Sequence, residues 1–161
     1  MSHPAGLKPL DPGSADLFAA VRKGTAREVM ALLGKGVNPN TCDPLTKNTV
    51  LLVAAALNRL SIAKALLEAG ANPNQGTALD TLPLHLAVAP LQDRHGNVRA
   101  PNLRMAHLLL SFGADASARD ADGLSALQLA AEPEKFARLL ARRLGKQLPP
   151  ARGLAPPIDR L

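Results

Sequence analysis

Three Leu-rich segments of this chain each end in a glycine that is followed by a short polar turn. The glycines are Gly36, Gly70 and Gly113, and the turns begin Gly-Val-Asn-Pro-Asn, Gly-Ala-Asn-Pro-Asn and Gly-Ala-Asp. Glycine is the residue that most easily adopts the left-handed conformation with which many helices end. A pattern that recurs in this way predicts stacked units of short helices.

Two further motifs mark the starts of units. The segment 81–87 is Thr-Leu-Pro-Leu-His-Leu-Ala, and 120–127 is Asp-Ala-Asp-Gly-Leu-Ser-Ala-Leu. The first resembles the Thr-Pro-Leu-His signature of the ankyrin repeat, and the second resembles the turn that opens such a repeat. The resemblance implies an all-α ankyrin-repeat solenoid over 14–144. It has four helix-turn-helix units, at about 14–47, 48–80, 81–122 and 123–144.

The spacing of the glycines departs from the usual period of about 33 residues. Gly36 and Gly70 are 34 residues apart, and we place the extra residue in the turn 41–48. Gly70 and Gly113 are 43 residues apart, so the third unit carries an insert of about ten residues. We place it at 91–102, between the two helices of that unit. The second unit also lacks the proline and the histidine of the motif.

Capping residues predict where the helices begin. Ser14 precedes the first apolar helical pattern and is the expected N-cap. Thr25 and Glu28 have the spacing of a capping box, and Asn102 can cap the helix that follows the insert. Pro133 suits the first turn of a last helix.

The flanking segments and the composition set limits on the class of protein. Residues 1–13 are predicted to be a flexible leader, and the proline-rich segment 145–161 a disordered tail. No secretory signal or membrane-length apolar run is visible, and the lone Cys42 suits a reducing compartment. The sequence therefore predicts a cytoplasmic protein.

The residues that most often carry chemistry have structural interpretations here. His85 lies in the motif and is expected to be a buried, hydrogen-bonding residue, as in the resembling family. His95 and His107 do not have metal-ligand spacing, and Cys42 has no activating neighbour in sequence. Asp120 and Asp122 are expected to cap their own turn. We expect no catalytic residues, no metal and no cofactor, and hence no enzyme.

The resemblance implies binding to another protein through a concave face, formed by turn tips and inner helices. Carried onto this sequence, the candidate contacts are Arg22, Lys23, Thr41, Asp43, Leu45, Lys47, Ala56, Leu57, Gln75, Thr77, Leu79, Asp80, Ala89, Pro90, Arg119, Ala121 and Leu124. Leu45, Leu57 and Leu79 are favoured, because an exposed apolar side chain suits a partner surface. The insert adds Arg94, His95 and Arg99, since loops on rigid scaffolds often bind.

The leading hypothesis is a non-enzymatic interaction module, monomeric alone, that binds one partner protein. A narrower hypothesis is a bacterial inhibitor of a partner enzyme, or an immunity-type protein. The alternative is a nucleic-acid-binding protein, which the net charge of +6 and the pI near 10.1 favour. Its basic C-terminal patch would contain Arg138, Arg142, Arg143, Lys146 and Arg152. The aromatic content of 2% opposes this alternative, because few rings are present to stack on bases.

Overall fold

Four pairs of short helices stack side by side to form the protein. The structure, a computed structural model, describes residues 10–92, 98–130 and 133–144, with only the backbone at 91–92, 98–99 and 143–144. The helices are α1 (Pro12–Lys23), α2 (Ala26–Gly34), α3 (Val50–Ala56), α4 (Leu60–Glu68), α5 (Pro83–Val88), α6 (Leu103–Ser111), α7 (Ala126–Leu129) and α8 (Pro133–Leu144). The odd-numbered helices contact one another in an inner layer, and the even-numbered helices form an outer layer. This arrangement confirms the predicted all-α solenoid.

The core runs between the two layers and is almost entirely aliphatic. Leu17, Leu51, Leu66 and Leu84 are each less than 2% exposed, and Phe136 from α8 closes the last layer. Fully buried alanines between these side chains allow the helices to approach closely. A core of this kind explains how a domain with so few aromatic residues can fold.

The first helix begins earlier than predicted, and Ser14 is not its N-cap. Asp11 is the cap, because its Oδ2 accepts the N–H of Ser14 at 3.0 Å, and Pro12 occupies the first helical turn. Ser14 is buried, and its hydroxyl donates to Asp11 Oδ1 at 2.6 Å. A proline in the first turn does not weaken the helix, because the backbone N–H that it lacks would have no acceptor within the helix at that position. The structured array therefore starts before residue 14.

The other predicted caps are confirmed. The N–H of Glu28 donates to Thr25 Oγ1 at 3.4 Å, and the N–H of Thr25 donates to Glu28 Oε2 at 3.2 Å. Asn102 Oδ1 accepts the N–H groups of Arg104 and Met105 at 3.0 and 3.1 Å. These bonds satisfy amides that the first turn of a helix leaves without partners.

Asparagines in the turns after the glycines link each unit to the next. Asn40 Nδ2 donates to Gly70 O at 3.1 Å, and Asn74 Nδ2 donates to Gly113 O at 2.9 Å. All three glycines have φ between +88° and +93°, the left-handed conformation that their positions predicted. Because the same bond recurs between successive units, it fixes the register of the stack.

His85 has the structural role expected of it. The ring is 1% exposed, Nδ1 accepts the N–H of Leu82 at 3.2 Å, and Nε2 lies 3.1 Å from Ala118 O. The first bond fixes Nδ1 as the acceptor, so Nε2 carries the proton that it donates to Ala118 O. His85 therefore caps its own helix and ties it to the loop at Ala118 that leads into the fourth unit.

The insert lies between α5 and α6, where the spacing predicted it. Its base is a pair of antiparallel strands, β1 (Leu91–Gln92) and β2 (Val98–Arg99), in which Leu91 faces Arg99. The N–H of Asn102 donates to Ala87 O at 2.7 Å and closes the loop onto the inner helix. The tip at 93–97 lies outside the described residues.

Candidate protein-binding surface

Three loops, which we call fingers, project from the array before α3, α5 and α7. They comprise residues 41–49, 75–82 and 118–125. In the first finger, Asp43 Oδ1 accepts the N–H groups of Leu45 and Thr46 at 3.0 and 2.9 Å. The N–H of Thr46 holds the pKa of Asp43 below its ordinary value, and the positive charge of Arg22 adds to this. The ionised carboxylate therefore stabilises the bend of the finger.

The other two fingers use a similar turn that is one residue shorter. Thr77 Oγ1 accepts the N–H groups of Leu79 and Thr81, and Asp120 Oδ1 accepts those of Asp122 and Leu124. A residue with positive φ follows in each finger, at Lys47, Asp80 or Gly123. It comes four positions after Asp43 but three after Thr77 and Asp120. The extra residue between Gly36 and Gly70 is therefore in the turn 41–48, as predicted.

The tips of the first two fingers carry exposed leucines. Leu45 is 69% exposed and Leu79 is 68% exposed, and each is the second residue after the side chain that holds its turn. Asp122 has the same position in the third finger. The N–H of Ala121 donates to Leu79 O at 3.2 Å, so the second and third fingers contact each other directly. The two leucines thus have equivalent positions at the tips of successive fingers, each held by hydrogen bonds within its own turn.

The inner helices contribute the other half of the predicted concave face. Leu57, at the end of α3, is 47% exposed, and Arg22 and Lys23 are exposed at the end of α1. The Arg22 guanidinium lies 5.9 Å from the centre of the Phe18 ring. Arg59 donates to the backbone oxygens of Arg22 and Gly24 at 2.6 and 2.9 Å, and so holds this end of α1 against the second unit.

Several predicted contact residues have structural tasks in the fingers. Asp43, Gln75, Thr77 and Leu124 are half-buried rather than exposed. The side chains of Asp43 and Thr77 accept hydrogen bonds from backbone N–H groups of their own turns, and the N–H of Leu124 is bonded to Asp120. Sequence spacing located the fingers but could not show which of their side chains point inward. Contact of these four residues with a partner stays a prediction.

Of the remaining predicted contacts, Thr41, Ala56 and Ala89 are also half-buried, Pro90 and Ala121 are exposed, and part of the insert is not described. Lys47, Asp80 and Arg119 are exposed, and Arg119 Nη1 donates to Gly123 O at 2.6 Å. Arg94 and His95 lie outside the described residues, as does the side chain of Arg99. Of the basic patch in the nucleic-acid alternative, Arg138 and Arg142 are exposed on α8. The side chain of Arg143, and Lys146 and Arg152, are not described, so that alternative stays a prediction.

The described residues form neither a metal site nor a membrane-spanning helix. Among 10–92, 98–130 and 133–144, no three His, Cys, Asp or Glu side chains are grouped so that they could hold a metal ion. Cys42 is half-buried, and its backbone pairs with Thr49. Within that described part, every helix is too short or too polar to cross a membrane.

Two layers of paired helices with fingers at one edge define a helical repeat solenoid, a class of scaffold that presents a side-chain surface to other molecules. Family comparison is more specific. A model described as "Ankyrin repeats (3 copies)" matches residues 17–99, and one described as "Ankyrin repeat" matches 81–121. The chain belongs to the ankyrin repeat family, whose repeats generally mediate protein–protein interaction.

Two curated proteins that resemble this chain are much longer than it is. Ankyrin repeat and SOCS box protein 11 of Homo sapiens is 36% identical over 138 residues, which cover 86% of this chain and 38% of that protein. The E3 ubiquitin-protein ligase KEG of Arabidopsis thaliana is 32% identical over 126 residues, covering 76% of this chain and 7% of the ligase. This chain therefore spans well under half of these relatives.

The fold also matches a solved structure. The crystal structure of the ankyrin repeat domain of Bcl-3, a member of the IkappaB protein family, has a TM-score of 0.63 and 25% sequence identity. The match covers 81% of this chain and 50% of that chain. The helical stack and the order of its layers are thus those of an ankyrin repeat domain.

Proposed function

We propose that the chain binds one partner protein through the fingers and the exposed side of its inner helices. The observation that carries this proposal is the pair of leucines at the tips of neighbouring fingers, 69% and 68% exposed at Leu45 and Leu79. An exposed leucine is common, but two at equivalent positions on successive turns, each held by its own internal hydrogen bonds, form a repeated apolar edge. Burial of such side chains on binding contributes about 25 cal/mol per Å² of apolar surface.

The fingers are rigid enough to make this surface specific. Each is fixed by two side-chain bonds to its own backbone, so little conformational entropy is lost on binding. Arg22, Lys23 and Lys47 are exposed on or beside the same face and would pair with acidic groups around an apolar centre. The insert follows the C-terminal end of α5, and we propose that it adds contacts there. Neutralising a partner enzyme or a toxin is the narrower form of this proposal.

Capture from an extract of the source cell tests the proposal with a matched control. Immobilised wild type, Leu45→Glu/Leu79→Glu and Met30→Glu are compared by quantitative mass spectrometry. Met30 is 53% exposed on α2 in the outer layer, so its variant adds the same kind of charge away from the fingers. We expect one protein to be retained by wild type and Met30→Glu and lost from the finger variant. Equal retention by all three would refute binding through the fingers.

A further inference from the structure

An apolar groove crosses the outer layer, on the opposite side of the molecule from the inner helices. Its volume is about 540 Å³, and it lies between the first halves of α4 and α6, with Leu139 of α8 beyond. Leu60, Leu103 and Leu108 form the rest of its floor, and all four leucines are half-buried. A groove floor of half-exposed leucine is unfavourable in water and favours a covering group.

The groove lies where the outer helices of the second and third units pack less closely. Outer helix α2 packs closely along α4, whereas α6 packs against α4 less extensively. The chain enters α6 through the insert, and Asn102, which caps α6, donates from Nδ2 to Asn58 Oδ1 in the loop before α4. The two loops are therefore tied together at the end of the groove, and the helices beyond them leave its floor uncovered.

The rim of the groove is positively charged. Lys64 and Arg104 are exposed on its two sides, with the His107 side chain beside Arg104 one turn along α6. The side chains described along the groove are basic or uncharged. Lys64 pairs with Glu68 at 3.7 Å, but both side chains are more than half exposed, so this pair is weak and can exchange. The rim therefore favours an acidic ligand.

We infer that this groove binds an acidic amphipathic helix of a partner protein. The floor would take leucine-like side chains at i, i+3, i+4 and i+7, as in other helix-in-groove interfaces, and the rim would pair with carboxylates that flank them. A second copy of this chain fits less well, since its net charge is +6. A nucleic acid would use the rim but would leave the leucine floor uncovered. The inference is independent of the fingers, because the groove is in the outer layer.

Fluorescence anisotropy with a designed probe tests this inference on the full chain. The probe is a labelled amphipathic peptide of five helical turns, about 18 residues, with leucine on one face and glutamate on the other. One comparison peptide has lysine in place of every glutamate, and another has the same leucines and glutamates in scrambled order. We expect saturable binding of the acidic amphipathic peptide and at least tenfold weaker binding of the other two. No saturable binding, or equal binding of the lysine peptide, would overturn the inference.

Variants of the protein locate the binding. Arg104→Glu/Lys64→Glu reverses the charge of the rim and should weaken binding of the acidic peptide by about tenfold or more. Arg27→Glu is the matched control, because Arg27 is exposed at the second position of α2, as Arg104 is in α6. It should change the affinity by less than about twofold. Equal effects of the two variants would contradict binding in the groove.

A neutral obstruction separates groove binding from simple charge attraction. Ser61 is exposed at the groove, so Ser61→Trp fills it without changing the charge and without disturbing the buried face of α4. We expect Ser61→Trp to weaken binding of the acidic peptide about as strongly as the rim variant does, and to leave the circular dichroism spectrum unchanged. An unchanged affinity of Ser61→Trp for the acidic peptide would point to charge alone and overturn the inference. Full displacement of the peptide by a single-stranded oligonucleotide, from this variant as from wild type, would do the same. A dimer of the free protein that Ser61→Trp dissociates would assign the groove to a second copy, and would overturn it also.

Discussion

His85 offers a quantitative test of how α5 is held to the loop that leads into the fourth unit. His85→Ala removes a side chain that is 1% exposed and leaves the N–H of Leu82 and the carbonyl of Ala118 without partners. Leaving buried polar groups unpaired costs about 1–3 kcal/mol, and the cavity adds to that cost. We therefore expect a loss of roughly 3 kcal/mol. In a chain of this length, such a loss corresponds to a fall in melting temperature of roughly 6–12 °C.

The other units supply the matched variants. Gln128 has the equivalent position in the fourth unit, where its Oε1 accepts the N–H of Ser125 at 3.0 Å. His85→Gln should therefore keep the capping bond and lose about half as much stability as His85→Ala. Leu52 has this position in the second unit, so His85→Leu restores volume but neither bond, and should fall between the two. Thermal unfolding followed by circular dichroism gives the order. Equal melting temperatures for wild type and His85→Ala, or Gln as damaging as Ala, would refute the bonding role.

Three further perturbations test other parts of the account. Asn74→Ala removes the bonds to Gly113 O and Asp115 N, and should cost about 1–2 kcal/mol in urea unfolding; no change would show that this link does not hold the stack. Hydrogen bonds lower the pKa of Asp43 in the folded state. Its contribution to the free energy of unfolding is therefore present above the unfolded pKa of about 4 and is lost as the pH falls through the lower folded pKa. Asp43→Asn should flatten the fall in unfolding free energy below about pH 4, and an identical pH profile would contradict this. Replacing 93–99 with a short Gly-Ser linker should preserve the melting temperature and weaken the captured partner in titration calorimetry; equal affinity would show that the insert makes no contact.

Much of the fold could be predicted from local patterns. The glycines after the outer helices, the capping box at Thr25 and the cap at Asn102 are each set within a few residues of sequence, and each is confirmed. The prediction of Ser14 as the N-cap is wrong, because it relies on the start of the apolar pattern, which begins after Ser14. The decisive signal was Asp11 followed by Pro12, which starts the helix earlier. Local capping chemistry therefore predicts boundaries well when the competing cap is also considered.

Contacts between units were not predictable in the same way. Asn40 and Asn74 are easily recognised in the sequence, in repeated Asn-Pro-Asn turns, but the carbonyl groups that accept their hydrogen bonds are 30 and 39 residues away. The exposure of Leu45 and Leu79 was predicted, since both lie in turns. The outer groove was not, because it depends on how far apart two helices pack. Spacing gives the order of the units, whereas the distances between them are set by tertiary packing.

Hydrogen–deuterium exchange of the chain with its captured partner tests the central claim most directly. We predict that binding slows exchange of amides in the fingers, at 43–49 and 77–82, and leaves α2 in the outer layer unchanged. The amides of Leu45 and Leu79 are bonded within their turns, so added protection there would report burial by the partner. Unchanged exchange in both fingers, with a complex formed at saturating partner, would contradict binding through this face.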